Sequence, residues 1–99
     1  MRPTHVQVDL GRIERNLHAL QAHVGAGVDC MPILKANAYG HGLVPVACHL
    51  ERAGAAAIGV AYLEEGLLLR QAGLRCPVLV LGGIVDDQIP AFIEHDLAL

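Results

Sequence analysis

Three short apolar runs at a nearly constant interval constrain this chain more than any other feature. They occupy residues 28–35, 56–61 and 78–81, with centres near Ile33, Ile58 and Val80, about 22–25 residues apart. The runs are apolar at successive rather than alternate positions, the pattern of a strand buried on both faces. Between them the period changes to that of a helix. Val44, Val46, Ala47, Leu50 and Ala53 form one such stretch, with Pro45 acceptable in its first turn and Gly54 ending it. Glu64, Glu65, Leu67, Leu68, Arg70 and Ala72 form another, acidic early and basic late as the helix dipole favours, with Gly73 after it. Gly66 weakens that second helix slightly. No hairpin signal joins the runs, so the alternation specifies a parallel sheet with right-handed crossovers.

The ends of the chain extend the pattern. Val6, Val8 and Leu10 alternate with polar residues, which predicts a short half-buried strand over residues 6–10. Ile13, Leu17, Leu20 and Val24 fall on one face of a helix, started by Asp9 or Gly11 and stopped by Gly25 and Gly27. Asp86 or Asp87 is expected to cap a short helix running through Ile93, and residues 96–99 to open a fourth strand. Three or four parallel strands, apolar on both faces, leave an open edge and too few helices to cover the sheet. The expected class is therefore α/β, a parallel (β/α)8 TIM barrel of which residues 1–99 form the first three to four βα units. A whole barrel needs about 250 residues. A self-contained small α/β domain is the alternative.

Composition removes several classes. At 54% hydrophobic the chain is too apolar to be disordered. No run approaches the ~18 residues of a membrane span. A net charge of −3 gives no basic footprint for nucleic acid. The start, Met1-Arg2-Pro3-Thr4-His5, lacks an apolar signal core, so a cytoplasmic location is expected. Cys30, Cys48 and Cys76 are odd in number and far apart, against a disulfide framework or a zinc ribbon. The six histidines show no metal-binding spacing, and no metal site is expected.

In parallel sheets reactive groups sit just beyond the carboxyl ends of the strands. Lys35, the only lysine of the chain, falls there. Its stem follows Met31-Pro32-Ile33-Leu34, where partial desolvation would disfavour the charged ammonium, as a Schiff-base lysine requires. A lysine snorkelling from the rim to water is the plainer reading. The loop after it adds a phenol and two glycines, Lys35-Ala36-Asn37-Ala38-Tyr39-Gly40-His41-Gly42. The glycines allow positive φ and close approach of a ligand to backbone. Tyr39 can donate its hydroxyl hydrogen to a phosphate oxygen, or simply pack on the loop.

This eight-residue run resembles the signature of bacterial alanine racemases, which use pyridoxal 5'-phosphate (PLP). Val8-Asp9-Leu10 with Ile13 and Asn16, Leu50-Glu51-Arg52-Ala53-Gly54-Ala55, Val60-Ala61-Tyr62-Leu63-Glu64-Glu65-Gly66 and Pro77-Val78-Leu79-Val80-Leu81-Gly82 also look like segments of that family. The resemblance covers essentially the whole chain, as the amino-terminal quarter to third of a family member. It implies that Lys35 holds PLP as an internal aldimine and serves as the base on the D-alanine α-proton. It likewise implies that Tyr39 hydrogen-bonds the cofactor phosphate and that Leu81 lies close to the cofactor ring. Asn37 and His41 belong to the signature, with holding the loop as their preferred role.

The family's second base is a tyrosine from a carboxyl-terminal β domain of the other subunit of a homodimer, which neither Tyr39 nor Tyr62 matches. Its pyridine-pairing arginine and most phosphate ligands also lie outside the matching residues. The resemblance thus implies a cytoplasmic isomerase interconverting L- and D-alanine for peptidoglycan, with the 99 residues alone inactive. A non-catalytic PLP-binding or carrier protein is one alternative. A broader-specificity amino-acid or serine racemase is another.

Overall fold

The structure, a computed structural model, describes residues 4–99; Met1, Arg2 and Pro3 of the leading segment lie outside the described residues. Helix α1 spans Leu10–Val24. Asp9 starts it, its Oδ1 accepting the Arg12 N–H at 3.1 Å, and Gly25 ends it at φ 88°. Leu17 is buried, but Leu20, on the same stripe, is 59% exposed. The stripe is correctly spaced and only partly covered.

The expected strand over residues 6–10 does not form. Residues 4–9 carry no regular structure, Leu10 already belongs to α1, and Val6 is 88% exposed. An extended segment needs a neighbouring backbone to satisfy its amides and carbonyls, and no described strand pairs with it.

The run at 28–35 is also shorter as a strand than its composition suggests. Only Ile33 pairs, through a parallel bridge to Gly59 in which Leu34 N–H donates to Gly59 O at 2.7 Å and Gly59 N–H to Pro32 O at 2.9 Å. Pro32 has no N–H to extend the ladder, and Lys35 opens a five-residue helical turn, α2 (Lys35–Tyr39).

Helix α3 (Leu43–Arg52), strand β1 (Ile58–Val60), helix α4 (Leu63–Gln71), strand β2 (Val78–Val80), a 3-10 turn (Asp86–Gln88) and helix α5 (Ile89–Glu94) complete the chain. Neither Asp86 nor Asp87 caps a helix. Both lie inside the 3-10 turn, where Gln88 Oε1 accepts the Val85 N–H at 3.3 Å, and Pro90 stands in the first turn of α5. Residues 96–99 contribute a bridge rather than a strand.

β1 and β2 are parallel, with Ile58 opposite Val78, Gly59 opposite Leu79 and Val60 opposite Val80. Ile33 bridges to Gly59 on one side and Ala98 to Leu79 on the other, both parallel. Neighbours in space thus follow chain order, as successive units of a (β/α)8 barrel do. Ile58, Val60, Val78 and Val80 are fully buried in one cluster with Val46, Ala47, Leu50 and Leu69 of the helices. The opposite face carries Gly59, half-buried Ile33 and Leu79, and Leu81, which is 51% exposed.

Gly66, which lowers helix propensity, has a packing reason: a β-carbon there would stand 3.1 Å from Leu97 Cδ1. Helix α1 is fastened to α3 by polar contacts, with His49 Nε2 2.7 Å from Glu14 Oε1 and His18 Nε2 3.0 Å from Ala53 O.

At the amino ends of the strands Arg70 does far more than complement a dipole. Its guanidinium donates to the carbonyls of His95, Leu74, Cys76 and Asp96 at 2.8–2.9 Å, tying α4 to the loops before β2 and after α5. Glu51 Oε2 accepts the N–H groups of Arg75 and Cys76 at 2.8 and 2.7 Å. Desolvation raises the Glu51 carboxyl, but these hydrogen bonds and the nearby Arg70 outweigh it and hold its pKa below the usual value. Desolvation, reinforced by the Glu51 charge, pushes the Cys76 thiol up to about 11. All three cysteines are free thiols. Among the described residues, no helix is long and apolar enough to cross a membrane.

Candidate functional site

The bridge and ladder partners put Ile33, Gly59, Leu79 and Ala98 in one row across the sheet. Two residues further along each chain segment come Lys35, Ala61 and Leu81, at the carboxyl ends of the parallel strands. Leu81 N–H donates to Val60 O at 2.7 Å and Gly82 N–H to Ala61 O at 2.8 Å, carrying the β1–β2 register onto the rim. The Leu81 side chain leans back over Gly59, its Cδ1 3.6 Å from where a β-carbon of Gly59 would stand. Ile33 fills the same space from the other side, so the absence of a side chain at Gly59 lets both lie over it.

Lys35 stands on this rim above buried Leu34, and it is exposed. The partial desolvation expected from its aliphatic neighbours is not supplied by the described residues. The backbone turns out of the extended region at Leu34 (φ −119°, ψ 27°), which lifts Lys35 clear of the apolar run.

The turn that follows is unusual. Ala36, Asn37, Ala38 and Tyr39 all have φ between 53° and 57°, a left-handed helical turn of four consecutive non-glycine residues. Left-handed backbone costs L-residues roughly 1–2 kcal/mol each. The turn is held by Ala38 N–H donating to Leu34 O at 2.8 Å, Gly40 N–H to Ala36 O at 3.1 Å, His41 N–H to Ala38 O at 3.0 Å and Gly42 N–H to Asn37 O at 3.0 Å. His41 Nδ1 lies 2.9 Å from Ala38 O, and Asn37 Oδ1 accepts the Leu43 N–H at 2.8 Å. Gly40 (φ 89°) and Gly42 (φ 100°) supply the positive φ needed to leave the turn and enter α3. Ala38 is buried, while Tyr39, next along, is 59% exposed.

Lys35 and Tyr39 are thus the two ends of one tightly bonded turn, and Leu81 stands on the same rim with β1 between. Asn37 and His41 hold the loop through hydrogen bonds, as their preferred reading has it.

Two rim residues carry more weight than their sequence context suggests. Glu65 Oε1 accepts the N–H groups of Ala61 and Tyr62 at 2.9 and 3.1 Å, fixing the loop after β1. Its position three residues after Tyr62, at a helix start, is the spacing of a capping box and is the signal that finds it. Gly82 approaches the Ala61 carbonyl too closely for any β-carbon. No group of three or more His, Cys, Asp or Glu side chains able to hold a metal occurs among the described residues.

The family model for the alanine racemase N-terminal domain matches residues 8–99. This chain belongs to that family. The alanine racemase of Halothermothrix orenii is 41% identical over 96 residues, and that of Lactobacillus acidophilus 44% identical over 98. These alignments cover 97% and 99% of the chain but 25% and 26% of the relatives, so the chain spans about a quarter of their length. The crystal structure of alanine racemase from Bacillus anthracis with bound L-Ala-P superposes with a TM-score of 0.91 at 40% identity, over 98% of this chain and 25% of that one. The parallel α/β architecture described above is thus the opening of the barrel seen in alanine racemases.

Proposed function

We propose that the protein bearing this chain is an alanine racemase, a PLP-dependent isomerase interconverting L- and D-alanine, and that residues 1–99 are the amino-terminal part of its PLP-binding barrel. The observation that carries this reading is the presentation of the single lysine. Lys35 offers an exposed side chain at the carboxyl ends of parallel strands, on one hydrogen-bonded left-handed turn together with exposed Tyr39.

This donor set fits one edge of the cofactor. An amine can bind an aldehyde covalently, a phenol can donate to a phosphate oxygen, and an exposed apolar side chain can pack on a ring. Lys35 would hold PLP through Nζ, Tyr39 would hydrogen-bond its phosphate, and Leu81 would pack near its ring. When bound, PLP serves as an electron sink for charge left at the amino-acid Cα.

Once freed from the cofactor, the Lys35 amine accepts the α-proton from D-alanine on one face. Removal and return on opposite faces require a second acid–base group. A tyrosine from the carboxyl-terminal β domain of a partner subunit supplies it in this reading, which makes the working unit a homodimer. The product serves peptidoglycan synthesis, and the enzyme is cytoplasmic.

Borohydride treatment of the PLP-loaded full-length protein, followed by peptide mapping, tests the assignment. The pyridoxyl group is expected on the peptide containing Lys35. Its absence, or its recovery on another residue, overturns the reading.

A further inference from the structure

We infer that Asn37 is a positioning residue whose carboxamide ties the left-handed turn carrying Lys35 and Tyr39 to the first turn of α3. The inference rests on the reading of Lys35 and Tyr39 proposed above.

Four successive L-residues in left-handed backbone need an external restraint, because the right-handed form is intrinsically favoured. Hydrogen bonds from Ala38 to Leu34 and from His41 to Ala38 lie within the turn and its immediate flanks. The Asn37 side chain reaches further. Its Oδ1 accepts the N–H of Leu43, the first residue of α3, at 2.8 Å.

That N–H is one of the amides a helix leaves unsatisfied at its start. The residue before it, Gly42, has no side chain with which to cap it. Asn37 therefore caps α3 from across the loop, and α3 is immobilised by buried Leu43, Val46, Ala47 and Leu50. Asparagine is also among the residues that best tolerate positive φ. One residue thus suits the turn's backbone and anchors the turn to the core. The direction in which Lys35 leaves the rim, and its relation to Tyr39, follow from that anchor.

Asn37→Asp keeps the acceptor, whereas Asn37→Gly keeps the freedom for positive φ and loses the acceptor. Three measurements on the full-length protein separate positioning from general stability. These are the 13Cα shifts of residues 36–39, the rate at which PLP added to the cofactor-free protein becomes borohydride-trappable on Lys35, and the acetylation of Lys35 by acetic anhydride in the cofactor-free protein. Asn37→Asp is expected to retain left-handed shifts and wild-type trapping. Asn37→Gly is expected to show averaged shifts and roughly 10–100-fold slower trapping, the penalty for misplacing a reacting group, with acetylation unchanged.

Wild-type shifts and trapping in Asn37→Gly overturn the proposal. So does slowed trapping in Asn37→Asp, or an equal change in both trapping and acetylation rates in Asn37→Gly, which marks a general failure of the fold. If wild-type protein is not trapped at Lys35, the cofactor reading falls, and the shift comparison alone decides whether Asn37 sets the turn.

Discussion

The Gly82 amide donates to the Ala61 carbonyl at 2.8 Å, and the two backbones meet so closely that residue 82 has no space for a β-carbon. This contact joins the ends of β1 and β2 on the rim that also carries Lys35. The obstructing atom is a main-chain oxygen held in register by the sheet, so it cannot swing aside as a flexible side chain would. Gly82→Ala is expected to lower stability by about 1–3 kcal/mol through overpacking. Urea unfolding of the full-length protein measures this, and an unchanged midpoint refutes the close approach.

Lys35→Arg keeps a positive charge but offers no amine able to deprotonate and bind an aldehyde. Under the proposed function, racemisation by the full-length protein is expected to fall by at least roughly 10²–10⁴-fold, the usual contribution of a positioned base. The visible band of covalently held PLP, expected for the proposed site, should be lost with it. Activity within tenfold of wild type would remove Lys35 from the reaction.

Arg70→Lys tests the clamp beneath the sheet. A lysine cannot reproduce four guanidinium hydrogen bonds to carbonyls spread over two loops. Hydrogen bonds to charged groups contribute about 1.5–3 kcal/mol each, and they are not additive. A net loss of about 2–4 kcal/mol is expected in chemical denaturation. Racemase activity per folded molecule should stay near wild type, because the clamp lies at the strand ends opposite Lys35.

Glu51 gives an acid-limb prediction. Its folded pKa is held below the usual glutamate value by the Cys76 and Arg75 amides and the nearby Arg70, so the native state favours the carboxylate. The resulting stabilisation is fully present above the unfolded pKa and disappears as pH falls through the lower, folded value. Wild-type protein should therefore lose stability on acidification from about pH 5 downward more steeply than Glu51→Gln does. Parallel acid limbs in the two proteins would remove Glu51 from this linkage.

The sequence is most transparent where burial is two-sided. Ile58, Val60, Val78 and Val80 sit in uninterrupted apolar runs because each strand must satisfy helices on one face and a barrel interior on the other. The same rule overstates residues 28–35, where Pro32 lacks a donor and a single bridge forms at Ile33. Alternation at residues 6–10 says which side chains would share a face, but not whether a partner strand exists. The eight-residue loop marks Lys35 and Tyr39 by their chemistry. Its handedness is hidden, because Ala36, Ala38 and Tyr39 all disfavour positive φ and only Asn37 and the glycines hint at it. Arg70 and Glu51 were legible only as charges on helices, since their carbonyl and amide partners lie as far as 24–26 residues away in sequence.

The chain-order arrangement of Ile33, Gly59, Leu79 and Ala98 has a consequence for biosynthesis. Each strand segment finds the edge it must join already made by the segment synthesised before it. Sheet growth can therefore keep pace with the ribosome, without waiting for distant sequence to arrive. The turn bearing Lys35 needs only Gly59 and the start of α3 to be in place, so its geometry can be set early. Leu81 and Leu99, both exposed at this end of the order, give the growing sheet an apolar edge that is prone to aggregation until it is covered.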